Sequence, residues 1–199
     1  ISMPENIECN IRLPQNNLLE ITSKADENTV IPSIIEAVKQ SEEEGYDAAL
    51  VYCFGEPGVK ESQSEVNIPV LGIANPSMYY AAMLSEQFAV IASLEAHCPL
   101  INILVEQLGL AHKMSKPFAV GISPKDFDGN DEVLIGNLIQ HIKPSLDAGV
   151  RVFILGCGSM QSKSGLIKRA VREELGVSIT VINPLEISIY MIYSLLQLR

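Results

Sequence analysis

The sequence has no tryptophan, three histidines and four cysteines, and these shortages exclude several classes of function at once. Cys9, Cys53, Cys98 and Cys157 lie far apart, with no CxxC pair and no histidines clustered beside them. Neither a metal site nor a disulfide framework is indicated. Basic residues are also scarce: Lys plus Arg number 14 against 24 for Asp plus Glu, a formal net charge of -10. That balance argues against a nucleic-acid partner, because phosphate-backbone binding needs a basic surface. No apolar stretch approaches the roughly 20 residues that a membrane helix needs, so no membrane partner is expected. The opening ISMPENIECN lacks both the basic and the apolar region of a secretory signal. A soluble, cytoplasmic protein is the expectation. The first residue is Ile rather than Met, so a native N-terminal segment is expected to be missing.

What remains is apolar and regularly patterned. With 199 residues and 47% hydrophobic content, the chain can fill one large domain or two small lobes. Short β-branched runs alternate with longer stretches of helical spacing. The runs are IECNI (7–11), AALVY (48–52), PVLGI (69–73), FAVIAS (88–93), PFAVGI (117–122), VRVFILG (150–156) and VSITVI (177–182). That alternation predicts an α/β protein with mostly parallel sheet flanked by helices. One helix is predicted from Val30, with Ile31, Ile34, Ile35 and Val38 on one face and Gly45 at its C-terminal end. A second spans DEVLIGNLIQHIKPSLDAG, where Pro144 is expected to kink or restart it. Further helices are predicted near Pro76 and Pro99, after Lys163 and after Pro184. No low-complexity linker divides the chain.

An internal repeat is the most informative feature. Gly45 precedes Cys53 by eight residues, as Gly149 precedes Cys157, and an apolar strand fills each interval. After each cysteine come a turn-prone set (FGEPG or GSM), a polar helical stretch and another strand. Two half-molecules are implied, the first short by about one strand. In open parallel sheets, ligands bind beyond the carboxyl ends of strands, where loops and helix N-termini offer backbone N–H groups. A thiol there is favoured as thiolate. One thiolate base and one thiol acid, on opposite sides of a bound small molecule, suit removal of a proton from one face of a carbon and its replacement on the other. The N–H groups of Gly55, Gly158 and Ser159 are then candidates to stabilise the intermediate enolate.

The segments CFGEPG around Cys53, GIANPSMYYA from Gly72, FAVIASL from Phe88 and LGCGSM around Cys157 together resemble the aspartate/glutamate/hydantoin racemase superfamily, closest to its hydantoin racemase branch. The resemblance runs in order from about residue 7 to the C-terminus. It implies two pseudo-symmetric lobes with the active site in the cleft between them, no cofactor, and a two-base mechanism carried by Cys53 and Cys157. It places residues 1–82 and 183–199 in the first lobe, whose opening strand is absent, and residues 83–182 in the second. Phe54, Gly55, Glu56, Ser93, Gly158 and Ser159 are the implied substrate-binding residues. Members of the superfamily carry an N-terminal Asn-Pro-Asn and Ser/Thr loop with no counterpart here. Either the native protein is longer or one wall of the pocket is missing and the chain is inactive.

Other residues have plainer readings. Cys9 and Cys98 lack the repeat context and are read as packing residues. Glu56 either orients its loop or meets the substrate, and Ser93 is either a substrate contact or an ordinary N-cap. His97, His112 and His141 are read as surface or structural. The Met and Tyr residues of SMYYAAM and EISIYMIYSLL fall at helical spacing, as core or subunit interface, so a homo-oligomer is expected. GCGSM lacks the Gly-Lys-Ser/Thr ending of a phosphate loop, so no nucleotide site is expected. The expected activity is cofactor-independent racemisation of a small 5-substituted hydantoin. The alternatives are an aspartate/glutamate racemase, a maleate-type isomerase, or an inactive homologue that binds a small molecule.

Overall fold

Helix α1 (Lys24–Glu43) starts where Ser23, in extended backbone, accepts the Asp26 N–H on its hydroxyl at 3.2 Å. Asp26 reaches back to the Thr22 N–H at 2.9 Å and the Thr22 hydroxyl at 3.1 Å. These hydrogen bonds hold the Asp26 carboxyl below its ordinary range, the Thr22 N–H contributing most. This reciprocal cap satisfies donors that the first helical turn would otherwise leave open. The helix therefore begins six residues before Val30, and its first turns carry Glu27, whose side chain is buried. The computed structural model describes residues 4, 7–16, 18 and 20–198.

Strand β1 (Ala49–Val51) follows α1, and then α2 (Val59–Gln63), β2 (Val70–Gly72) and α3 (Ala74–Leu84). Next come β3 (Phe88–Ala92), α4 (His97–Gln107) and β4 (Phe118–Ala119). After a short 3-10 segment (Pro124–Asp126) come α5 (Asp131–Asp147), β5 (Val152–Leu155), a second 3-10 segment Gly158–Lys163 that runs into α6 (Ser164–Leu175), β6 (Thr180–Ile182) and α7 (Pro184–Gln197). Every strand pairing within the two sheets is parallel. The α/β architecture read from the alternation is therefore present. The chain divides into two compact units, residues 1–76 with 185–199, and residues 77–184. No helix among the described residues is long and apolar enough to cross a membrane.

The second unit is built on a four-stranded sheet of order β4-β3-β5-β6. Its inner strands read FAVIA and VFIL, and every residue of both is buried. Continuous apolar runs belong to strands covered on both faces. Leu134, Leu138 and Ile142 of α5 and Ile167 and Val171 of α6, each set at four-residue spacing, pack with Phe153 and Leu155 in the main core. Gly156 has no room for a side chain: a Cβ would sit 2.7 Å from Val90 Cγ1 and 2.9 Å from the Ile91 carbonyl oxygen. That contact keeps the end of β5 tight against β3. Pro144 does not break α5, which is continuous to Asp147.

The first unit has a two-stranded sheet, β1 with β2, over a small core of Val38, Val51, Val59 and Val70. Residues 7–11, read as a strand from IECNI, form none. This segment is largely exposed, Ile11 at 94%, and its neighbours are tied to α1 by side chains rather than by a ladder. Arg12 pairs with Glu44 and donates to Gln40, while the Asn16 amide donates to the Thr29 carbonyl at 3.2 Å. Cys9 lies in this segment and is exposed, which corrects its reading as a packing residue. Cys98 is buried in α4, where burial first, and Glu95 second, pushes its thiol up to about 11.

Candidate active site

Both repeat cysteines stand two residues beyond a strand, Cys53 after β1 and Cys157 after β5, and both are half-buried. The surroundings of Cys157 follow from strand register. β3 and β5 pair Ile91 with Leu155, so two residues further along Ser93 lies beside Cys157. Cys157 keeps an extended backbone as the residue preceding the 3-10 segment, whose first turn is closed by the Met160 N–H on the Cys157 carbonyl at 3.0 Å. The Ser159 N–H and hydroxyl, the Ser93 hydroxyl and the Met160 N–H are the groups that favour the thiolate form of Cys157. Burial pushes the Cys157 thiol up, and these four donors oppose that shift. They are the groups that a thiolate, once formed, needs.

Ser93 is fully buried and has a second partner, the His97 Nδ1 at 2.9 Å. His97 is the first residue of α4 and half-buried, and the Leu94 N–H also points at its Nδ1, at 3.4 Å. Sequence reasoning assigned His97 a surface or structural role. The contact to Ser93 depends on the tight turn from Leu94 to His97, closed by a 3.0 Å hydrogen bond, and no spacing motif signals it. His112 and His141 are exposed, as read.

The Cys53 loop is built differently. Phe54 is buried, and a turn is closed by the Glu56 N–H on the Cys53 carbonyl at 3.0 Å. Glu56 takes a positive φ of 53°, a conformation a non-glycine residue holds only when its surroundings compel it. The compulsion is visible: one buried Glu56 carboxylate oxygen accepts the Ala74 and Asn75 N–H groups at the start of α3, both at 2.7 Å. Gly72 leaves the space for it, since a Cβ there would lie 2.2 Å from Glu56 Cδ. Burial pushes the Glu56 carboxyl up to about 7, against the pull of those two N–H groups. The Glu56 carboxylate thus ties the cysteine loop to the start of α3.

Glu27 was not singled out from the sequence. It is buried, pairs with Lys24 at 2.6 Å, and places Oε1 2.8 Å from where a Gly55 Cβ would be. The Cys53 sulfur lies 4.0 Å from the same point. The signal that finds Glu27 is Ser23-x-x-Asp26, which moves the helix start upstream and brings its first turn beside the cysteine loop. Gly158 is half-buried and Ser159 exposed, both in the 3-10 segment after Cys157.

A hydantoin racemase from Pseudomonas sp. (strain NS671) is 30% identical over 167 residues, 83% of this chain and 66% of that protein. The chain thus spans slightly under two thirds of the length of that relative. An allantoin racemase from Klebsiella pneumoniae has the same fold, with a TM-score of 0.80 at 23% identity over 93% of this chain and 74% of the other. A glutamate racemase from Bacillus anthracis superposes with a TM-score of 0.64 at 18% identity, covering 86% of this chain and 65% of the other. The profile of the Asp/Glu/Hydantoin racemase family matches residues 17–192, a span that takes in both strand-end cysteines, and the chain belongs to that family.

Proposed function

We infer that this protein racemises a small 5-substituted hydantoin without a cofactor, Cys53 and Cys157 acting as the two proton-transfer groups. In one direction a thiolate takes the proton from C5, breaking C–H and forming S–H. The carbanion delocalises into the adjacent ring carbonyl. The other thiol then gives its proton to the opposite face, which leaves that sulfur as the thiolate. Charge and protons balance over the turnover, and the two cysteines have exchanged protonation states. The ring carbonyls of a hydantoin carry much of the carbanion charge, so fewer protein donors are needed than for a free amino acid.

The observation that carries this reading is the equivalent placing of the two cysteines, each two residues beyond the end of a parallel strand, with Ser93 beside Cys157 in the register of β3 and β5. The kinship with hydantoin racemases supports the substrate class, and Phe54, Gly55, Glu56, Ser93, Gly158 and Ser159 are the proposed surround of the substrate. The test is to incubate optically pure 5-substituted hydantoins, including allantoin, with the protein in D2O, and to follow optical rotation and deuterium uptake at C5. Loss of rotation coupled to deuterium uptake is expected. No exchange with any hydantoin overturns the reading, and exchange only with aspartate or glutamate replaces it with amino-acid racemisation.

A further inference from the structure

We propose that Ser93 and His97 form a proton relay serving Cys157, by which this thiol exchanges its proton with solvent between turnovers. The proposal rests on Cys157 being one of the two proton-transfer groups. Two-base racemisation leaves the thiols with exchanged protonation states, so a catalyst that must handle both enantiomers gains from a route that resets them. Three groups of the second unit adjoin one another: Cys157, the buried Ser93 beside it in the register of β3 and β5, and His97 Nδ1 at 2.9 Å from the Ser93 hydroxyl.

The Leu94 N–H fixes the direction of the line. Because it points at His97 Nδ1 at 3.4 Å, that nitrogen is an acceptor at rest and the ring proton sits on Nε2. Ser93 then donates to Nδ1 and offers its lone pairs to the Cys157 thiol. Shifting two protons by one bond each breaks S–H and the original Ser93 O–H, and forms a new Ser93 O–H and an Nδ1–H. The products are a thiolate and an imidazolium, with the serine unchanged. Ser93 now donates to the sulfur, and Nδ1–H donates to Ser93. The half-buried ring gives up its Nε2 proton to water, and the reverse sequence returns a proton to the sulfur. A serine that only capped α4 would not need a histidine behind it, and a histidine that only packed would not need its Nδ1 aimed at a buried hydroxyl.

The test reads Cys157 itself rather than turnover. The full chain is treated with iodoacetamide at pH 7, and the modification of each cysteine is followed with time by peptide mass spectrometry. Ser93→Ala and His97→Phe should each slow alkylation of Cys157 about tenfold, equivalent to one unit in its apparent pKa. Ser93→Thr, which restores the hydroxyl, should stay within about twofold of the parent. Added imidazole should recover part of the rate in His97→Ala but none in Ser93→Ala. Buried Cys98 must stay unmodified in each variant, which certifies that this unit is folded. A parent-like rate for Cys157 in Ser93→Ala or His97→Phe overturns the relay, as does a Ser93→Thr variant as slow as Ser93→Ala. If the parent racemises no hydantoin yet these rate changes appear, the relay stands and the assigned reaction fails.

Discussion

The two cysteine loops begin alike and diverge within three residues. Cys53 is followed by Phe54, Gly55 and Glu56, and Cys157 by Gly158, Ser159 and Met160. At the second position, Ser159 sends a hydroxyl to the Cys157 sulfur, whereas Gly55 has no side chain and the space over it is filled by the Glu27 carboxylate. At the third, Met160 is a fully buried apolar plug, whereas Glu56 is a buried acid holding the start of α3. The Cys157 loop carries a serine and an apolar plug at the positions where the Cys53 loop carries a glycine and a buried acid. The backbone repeat supplies two equivalent sites, and the side chains then make them unequal.

The hardest test of this comparison is to remove each thiol in turn. Cys53→Ser and Cys157→Ser should each lower racemisation by at least about 10³-fold, within the range expected for losing a positioned acid or base. The intact cysteine of each mutant should still exchange the C5 proton of one enantiomer with D2O, and the two mutants should prefer opposite enantiomers. Full racemisation in either mutant would remove the two-base assignment. The next effect concerns Glu56 against Met160. Burial raises the folded-state pKa of Glu56 to about 7, above the value of 4.5 it has when unperturbed. The folded chain therefore holds this proton more tightly than the unfolded one. Its contribution is fully present below pH 4.5, declines as pH rises, and is lost above about 7, a change on the order of 3 kcal/mol. Glu56→Gln keeps an oxygen for the Ala74 and Asn75 N–H groups but cannot ionise. Urea unfolding should find it more stable than wild type at pH 8, with the gain vanishing near pH 4.5. An equal gain at both pH values would show that ionisation is not the cause.

How much of this was legible follows from which interactions are local. The cysteine repeat is a strand-and-turn pattern, so spacing alone exposed it, and the family resemblance added Ser93. The inner strands FAVIA and VFIL were legible because burial on both faces leaves an unbroken apolar run. His97 was not, since its meeting with Ser93 depends on how one turn after β3 closes. Glu27 was missed because the apolar spacing from Val30 onward is stronger than the cap at Ser23 that starts the helix. IECNI alternates like a strand, but the described segment is tied to α1 by Arg12 and Asn16 and makes no ladder. Period-two patterning shows what a strand would bury, not whether a partner strand accepts it.

Glu27→Gln sharpens the contrast from the Cys53 side. Removing a carboxylate charge beside that loop should speed alkylation of Cys53 by about fivefold at pH 7, the reduced repulsion favouring its thiolate. Cys157, served by its own donors in the other unit, should be unaffected. Equal acceleration of both thiols would point to general loosening instead. Lys24→Ala provides the opposing arm: it leaves the Glu27 charge without its 2.6 Å partner and should slow Cys53.

The smallest effect separates backbone from side chain at Cys157. Ser159 contributes both its N–H and its hydroxyl to the sulfur, and the N–H has the larger effect. Ser159→Ala removes only the hydroxyl, while the 3-10 turn keeps the N–H groups of residues 159 and 160 in place. One neutral hydrogen bond to a half-buried sulfur is worth about 0.5–1 kcal/mol, so Cys157 alkylation at pH 7 should slow by about two- to fivefold. Ser93→Ala, which on the relay reading loses a donor and a proton path together, should exceed it. If Ser159→Ala proves the more damaging, the hydroxyl supplied by the loop outweighs the one supplied by β3. The contrast between the loops would then reduce to Ser159 against Gly55.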